Sequence, residues 1–468
     1  MIYTGYILTC LIGWLIVPKL AARLLERAAL TFALGAFAIS IEMFTFDLAG
    51  IGWNRWILLL PWLLLAAFRI YQGRGQQGRG QFTFEADPFP AWWQIGLVVL
   101  ALVPVAIWWP YERVMPLTSS AWDAWAIWLF KANAFYLDGT IDPFLARAAE
   151  FTDHQPGYPL LMPLYGAFLY TLNGAADDYA FKMASVCFCL ASLGVFHYLA
   201  RRAGGPGPAL VSTVMLASVP MLNVLAFELA GYVDTTLSFY LLAAGGFLYF
   251  WWRDGNRFDL VAASLAATAA AWTKNEGQFF LLAIVLLGVA RLFFGRRPPL
   301  EWGCLIAPPA ALLLPWTIVR GGHGVEAAGF AMGFNFDPKL FTVAADALLI
   351  EALRWDLFVL TFVLLAGAAV GAALLRMSAA FWILPGLVVW HLSGALMAYS
   401  TGQNDLQWWL GTSADRILAQ VVPLALLPAA VVFSSWIERQ SADEPPAGKL
   451  ESMPAPLGKR EKRRRKSR

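Results

Sequence analysis

Charge is what this chain has least of. Of 468 residues only 14% are Asp, Glu, Lys or Arg, against about 25% in soluble domains. With a mean hydropathy of +0.59, that deficit excludes an ordinary soluble fold, and length then says little about domain number. Cysteine is scarce as well. The four residues, Cys10, Cys187, Cys189 and Cys304, all fall inside apolar runs. Cys187 and Cys189 stand two apart and so on different faces of a helix, a poor metal pair; all four read as buried free thiols. A basic stretch ahead of the first apolar run is also missing. Met1–Val17 is apolar, and Lys19, Arg23 and Arg27 follow it rather than precede it, so no cleavable signal is expected. Nor is there an internal repeat.

What the chain has is apolar length and tryptophan. Hydrophobic residues make up 59%, and many of the 22 Trp stand at the ends of apolar runs, where interfacial anchors belong. Runs near the ~17–25 residues that span a bilayer occupy 3–18, 28–48, 53–70, 92–110, 179–200, 207–226, 234–252, 259–273, 277–294, 300–318, 355–375, 379–398 and 416–437. The expected fold is therefore all-α and polytopic, with about thirteen transmembrane helices. The run 158–172, interrupted by Pro159 and Pro163, reads instead as an interfacial helix. Basic residues set the orientation. With the chain starting outside, 24 of the 34 fall in cytoplasmic segments, as the positive-inside rule requires; counting 158–172 as a span would reverse the later clusters. Residues 1–90 form three leading helices and a cytoplasmic linker containing QGRGQQGRGQ, residues 91–438 the main transmembrane module, and 439–468 a disordered basic tail on the cytoplasmic side. The basic end of that tail serves as a topology signal or clings to anionic lipid.

On this topology the notable polar residues gather on one face of the membrane: Asp123, Lys131, Asp153, His154, Lys182, Glu228, Asp234, Lys274, Asn275, Glu276, Arg320, Asp405, Asp415 and Arg416. Ionisable groups at or within span ends are costly and tend to mark a site. The stretch Thr118–Pro163 is the centre of the pattern. TSSAWDAWAIWLFKANAFYLD suits an amphipathic helix with Trp122, Trp125 and Trp128 at headgroup level and Asp123 near its start. Structural alternatives stand beside each reading. Ser120-x-x-Asp123 fits a capping box, Asp178 and Asp234 fit helix N-caps, and Lys274 and Glu276 fit turn residues.

At these residues the chain resembles the GT-C superfamily of membrane glycosyltransferases, which includes protein O-mannosyltransferases and the aminoarabinose transferases of lipid A. The resemblance runs in order over roughly 92–295: an aromatic loop helix with an Asp (WDAW), a Pro-containing approach to a juxtamembrane helix (HQPGYP), a span ending in paired Arg (YLARR), an Asp heading a later span (GYVDTT) and a Thr-Lys turn (AWTKNEG). Near the end SADRILAQVVP places an Arg before the last span. Two departures are plain. The acid pair often found in the first loop is Asp123 followed by Ala124, and the outer face has no Asp-x-Asp, so a divalent metal is not indicated and no cofactor is expected.

The resemblance implies transfer of a sugar from a polyprenyl-phosphate donor to a lipid, glycan or protein acceptor on the extracytoplasmic face of the inner membrane. Nucleic acid has no place in it. Asp123 would be the base, Arg416 with Lys274 and Lys182 would neutralise the departing phosphate, and Asp153, His154, Glu228, Asp234 and Glu276 would bind sugar hydroxyls or orient the cations. A transporter, flippase or polymerase for lipid-linked sugars needs a similar basic cavity but no base. Transporters often carry repeats with paired broken helices. A noncatalytic scaffold would leave the convergent ionisable residues unexplained.

Overall fold

The computed structural model describes residues 2–17, 24–74, 96, 99, 121–295, 298–325, 336–401 and 405–443. The expected span 92–110, Ser120, most of the Gly/Gln/Arg linker and the basic tail from 444 onward lie outside the described residues, apart from Gly96 and Val99. The fold is all-helical, and among the described residues the one exception is an isolated bridge between Ala230 and Tyr232. The α-helices are α1 (Ile2–Ile16), α2 (Leu24–Leu48), α3 (Arg55–Arg74), α4 (Phe130–Asp138), α5 (Asp142–Ala146), α6 (Leu161–Asn173), α7 (Asp178–Gly204), α8 (Pro206–Ala217), α9 (Pro220–Asn223), α10 (Asp234–Asp254), α11 (Arg257–Thr273), α12 (Asn275–Phe294), α13 (Pro299–Gly322), α14 (Pro338–Ala352), α15 (Trp355–Phe358), α16 (Thr361–Leu374), α17 (Ile383–Tyr399) and α18 (Leu406–Asp443).

Among the described residues six helical segments, within α2, α7, α12, α13, the α17 region and α18, are long and apolar enough to cross a membrane. A seventh arises if α8 and the segment Pro220–Glu228, bent by 68° at their junction, count as one. The chain is thus a multi-pass membrane protein. Part of the difference from thirteen is the expected span 92–110, which lies outside the described residues; part is physical. Helices α1 and α16 are apolar but short, α11 has 17 residues, and the run 355–375 breaks at Val359, whose φ of 54° ends α15.

One helix sits at the centre. Eighteen of the 21 residues of α10 are buried. An apolar, aromatic helix without a polar face has no solvent side to present, so it is enclosed by others. Helix α6 obeys the same rule. Its first ten residues are buried, and it packs against α4, α2 and α1. The interfacial helix expected over 158–172 is therefore an internal one, because Leu164, Tyr165, Phe168 and Leu169 leave it no polar face. The leading helices share the main core: Phe44 meets Trp272 and Trp316 edge to face, and Tyr240 Oη donates to the Ala33 carbonyl at 2.8 Å.

Helix α10 carries a polar layer at each end. At its C-terminal end Arg202 forks onto Asp259 at 2.7 and 2.9 Å and reaches Asp254. Beside it Arg201 forks onto Glu26 at 2.8 and 2.6 Å. These pairs tie α2, α7, α10 and α11 together and place two cations at the C-terminus of α7, where the helix dipole favours them. Asp234 and Asp254, at opposite ends of α10, stand 20 residues apart, which at ~1.5 Å per residue is about 30 Å, the thickness of a bilayer's hydrocarbon core.

Candidate functional site

The layer at the N-terminal end of α10 is assembled from four places in the chain. First is the turn leading into α10. Gly231 adopts φ +97°, where a Cβ would also stand 3.0 Å from that of Ala124, so the GYVD turn lies directly on the start of the WDAW segment. That segment, Asp123–Leu129, winds as a π-helix rather than an α-helix. Wide turns of this kind occur mostly at functional sites. The expected row of interfacial tryptophans is only partly realised. Trp122 and Trp125 are exposed, whereas Trp128 is buried and stacks at 5.5 Å on Tyr158 of HQPGYP.

The second place is the TKNEG junction. Lys274 is extended between α11 and α12, and Gly277 lets the two helices close, since a Cβ there would stand 2.0 Å from the Ala270 carbonyl oxygen. The tight pair expected around TKNEG is present. Third is α17 and fourth is α18, where Ser413, Arg416, Ile417 and Gln420 share one face at helical spacing.

Between these elements lies a cavity of about 150 Å³, lined by polar and charged residues, among them Asp123, Tyr158, Lys274, Asn275, Glu276 and Arg416, and by apolar ones, among them Phe279, Ala395, Ala398 and Ile417. Arg416 Nη1 donates to Asp123 Oδ2 at 2.6 Å and lies 3.6 Å from Asp234 Oδ2. Its guanidinium also stands 4.7 Å over the Tyr232 ring, and its Nε donates to the Thr412 carbonyl at 3.0 Å. Lys274 Nζ bridges Asp234 Oδ1 at 3.1 Å and Glu276 Oε1 at 3.0 Å. Gln420 Nε2 donates to Asp234 Oδ1 at 2.6 Å, and the Oε1 of the same amide meets His391 Nε2 at 2.9 Å.

Asp234 organises this network from behind the wall. It is 1% exposed and serves two cations and an amide at once. The structure thus assigns it a different place from a helix N-cap: Val233 holds that position, without a side-chain cap. The capping box read at Ser120 and Asp123 involves Ser120, which lies outside the described residues; at Trp122, where the π-segment begins, there is no side-chain cap bond. At α7 the capping residue is Asp177, which accepts from the backbone of Tyr179 and Ala180, not Asp178.

Two lysines show how the surroundings set the charge. Burial alone would lower the pKa of Lys274, but Asp234 and Glu276 outweigh it and hold the ammonium above its ordinary range. Lys131, equally buried, faces the Gln155 carbonyl at 2.6 Å and the Trp128 and Tyr158 rings; with no carboxylate beside it, burial pushes its pKa well down. It pins Gln155, whose φ is 51°, and so fixes the loop that brings Tyr158 to the cavity. Burial raises the Tyr158 hydroxyl to about 12, so it remains a proton donor at neutral pH.

Asp123, Asp234, Lys274, Glu276 and Arg416 are thus brought together, with the Lys182 side chain at the Gly231 turn beside them, whereas Asp153, His154 and Glu228 are not. Asp153 lies exposed on a 3₁₀ turn. His154 stacks on Phe130 at 3.8 Å and hydrogen-bonds the Ala126 carbonyl through Nδ1. Lys182 is buried on α7 with its Nζ 5.8 Å from the Tyr179 ring, and Glu228 is exposed at the end of the second π-helix. Sequence reasoning passed over His391 and Gln420. The signal was there: a His inside an apolar run is costly enough to mark a site, and Gln420 falls one helical turn after Arg416. Among the described residues no three His, Cys, Asp or Glu side chains gather as a metal site would require. No protein-family model, curated protein or solved structure matches the chain.

Proposed function

We propose that this protein is an integral membrane glycosyltransferase that takes a sugar from a polyprenyl-phosphate donor, in the manner of the GT-C superfamily. The observation that carries the reading is the direct pairing of Asp123 with Arg416 on the wall of a cavity lined by both charged and apolar residues. The reaction needs a carboxylate for the proton of the attacking hydroxyl and fixed cations for the phosphate that leaves as the C1–O bond breaks. Arg416 and Lys274 supply the cations, and Asp234 holds both in place. The Arg416 Nη2 amino group makes no hydrogen bond among the described residues and is the donor open to a phosphate oxygen. Arg416 Nη1 is paired with Asp123. A phosphate competing for the guanidinium would loosen that pair and free the carboxylate for the incoming hydroxyl. Phe279, Ala395, Ala398 and Ile417 offer the first prenyl units an apolar surface.

A lipid-linked-sugar transporter finds some support in the 68° break between α8 and the following segment. That break is single, however, and none of its residues line the cavity.

Asp123→Asn decides between chemistry and architecture. The substitution keeps the shape of the side chain and removes its charge, so sugar transfer should fall by about 10²-fold or more while donor binding and melting temperature stay close to wild type. Normal transfer by Asp123→Asn would remove the assignment. Lost transfer with a lowered melting temperature would make the Asp123–Arg416 pair structural instead.

A further inference from the structure

One of the residues lining the cavity has a buried polar atom without a hydrogen-bond partner among the described residues, and the network behind the wall determines what it is. Asp234 faces Lys274 and Arg416, so its carboxylate is ionised and only accepts hydrogen bonds. The Gln420 amide must therefore turn its NH₂ to Asp234 and its carbonyl oxygen to His391. An oxygen that only accepts requires a donor opposite, so His391 Nε2 carries the proton. In a neutral imidazole Nδ1 is then a bare acceptor. The ring is neutral because a second N–H would have no acceptor. It is also buried, with Lys274 as well as Glu276 among the charges around it. Nδ1 makes no hydrogen bond among the described residues, although His391 lines the cavity. Beyond it along α17, Gly394, Ala395 and Ala398 line the same cavity. They stand three, four and seven positions on, and the Phe279 ring packs over Gly394, where a Cβ would come within 2.5 Å of it.

We propose, building on the transferase reading, that His391 Nδ1 is a substrate-binding acceptor that takes the O–H of one hydroxyl of the bound sugar, with Asp234 and Gln420 fixing the tautomer that makes this possible. The cavity's other polar groups divide into cations for phosphate and carboxylates for a proton. His391 adds a neutral acceptor, which distinguishes a hydroxyl from a hydrogen at one ring position without repelling the phosphate.

Two substitutions separate the nitrogens. His391→Gln reaches the Nε2 position and keeps the contact with Gln420 but has nothing at Nδ1. His391→Asn does the reverse. The probes are polyprenyl phosphates carrying radiolabelled mannose, glucose, galactose or arabinose, each also in singly deoxygenated forms. Expected is a wild-type enzyme that loses about tenfold in donor KM when one particular hydroxyl is removed, the scale of one neutral hydrogen bond. His391→Gln should show that loss already with the intact sugar and be indifferent to the same deletion, while His391→Asn, which keeps an acceptor at the Nδ1 position, should remain sensitive to that deletion. His391→Gln behaving as wild type, or responding to each deletion as wild type does, overturns the proposal and leaves the transferase reading standing. If either variant fails to fold, the deoxy series on wild type decides alone: indifference to every deletion overturns the proposal, and a single sensitive hydroxyl supports it. A wild-type protein that transfers none of the sugars would overturn the transferase reading and this inference with it.

Discussion

Arg416 shows how much one residue type decides in a nearly dry site. Its fork meets Asp123 through Nη1 and the helix backbone through Nε, and its face covers Tyr232. A lysine would keep the charge but lose the plane, the second amino group and the stacked face. Arg416→Lys should therefore lower transfer by at least tenfold with the fold intact, read as donor KM and turnover in detergent. Unchanged activity in Arg416→Ala would take the residue out of the site. Asp234 is more exposed to damage. Removing one partner of a buried ion pair costs about 3–5 kcal/mol, and Asp234 is the shared partner of Lys274 and Arg416. It was legible as an ionisable residue heading a span. Its burial was not, because only the chain's return as α18 brings Arg416 and Gln420 over it.

At the scale of the elements, legibility followed periodicity. Long apolar helices such as α7, α12 and α13 announce themselves by composition. The inward position of α6 does not, since an aromatic run with two prolines fits a membrane surface or a protein interior equally well. The π-turns at Asp123–Leu129 and Val224–Glu228 carry no sequence signal of their own. Neither does the clip between α13 and α5, where His323 donates through Nδ1 to the Val319 carbonyl and meets Asp142 through Nε2, both at 2.9 Å. The Val319 carbonyl and Asp142 raise the imidazole above its ordinary pKa against a smaller burial effect. A raised histidine contributes stability in full below the unfolded value of about 6.5 and loses it as pH climbs through the folded value. Hydrogen-exchange protection over 142–154, corrected for the base-catalysed intrinsic rate at each pH, should accordingly be greatest near pH 5.5 and fall toward pH 8.5. His323→Gln should flatten that trend. The same trend persisting in the variant would assign it to another group.

For the whole molecule the first question is which way it faces. We infer from the distribution of basic residues that the cavity faces outside and the Arg201–Arg202 layer inside. In a cysteine-free background, a membrane-impermeant thiol reagent applied to intact cells should label Asp153→Cys and reach Glu438→Cys only after permeabilisation; both native side chains are exposed. Labelling at Glu438→Cys in intact cells would turn the assembly over and put the cavity in the cytoplasm. That several helices are apolar was plain from the chain, but the number that cross is a property of the assembly. Short helices such as α11 and α16 depend on neighbours for what they lack in length.

The last helix runs unbroken for 38 residues, and Arg416 and Trp436 stand 20 residues apart on it. At ~1.5 Å per residue that is about 30 Å, one hydrocarbon core. With Trp436 anchored at one water boundary, the guanidinium comes to rest at the other, at the depth where a lipid's phosphate floats while its tail stays among the acyl chains. α18 is then a depth gauge. A lipid-borne phosphate would arrive sideways along the leaflet, already at the right height, and search in two dimensions rather than three.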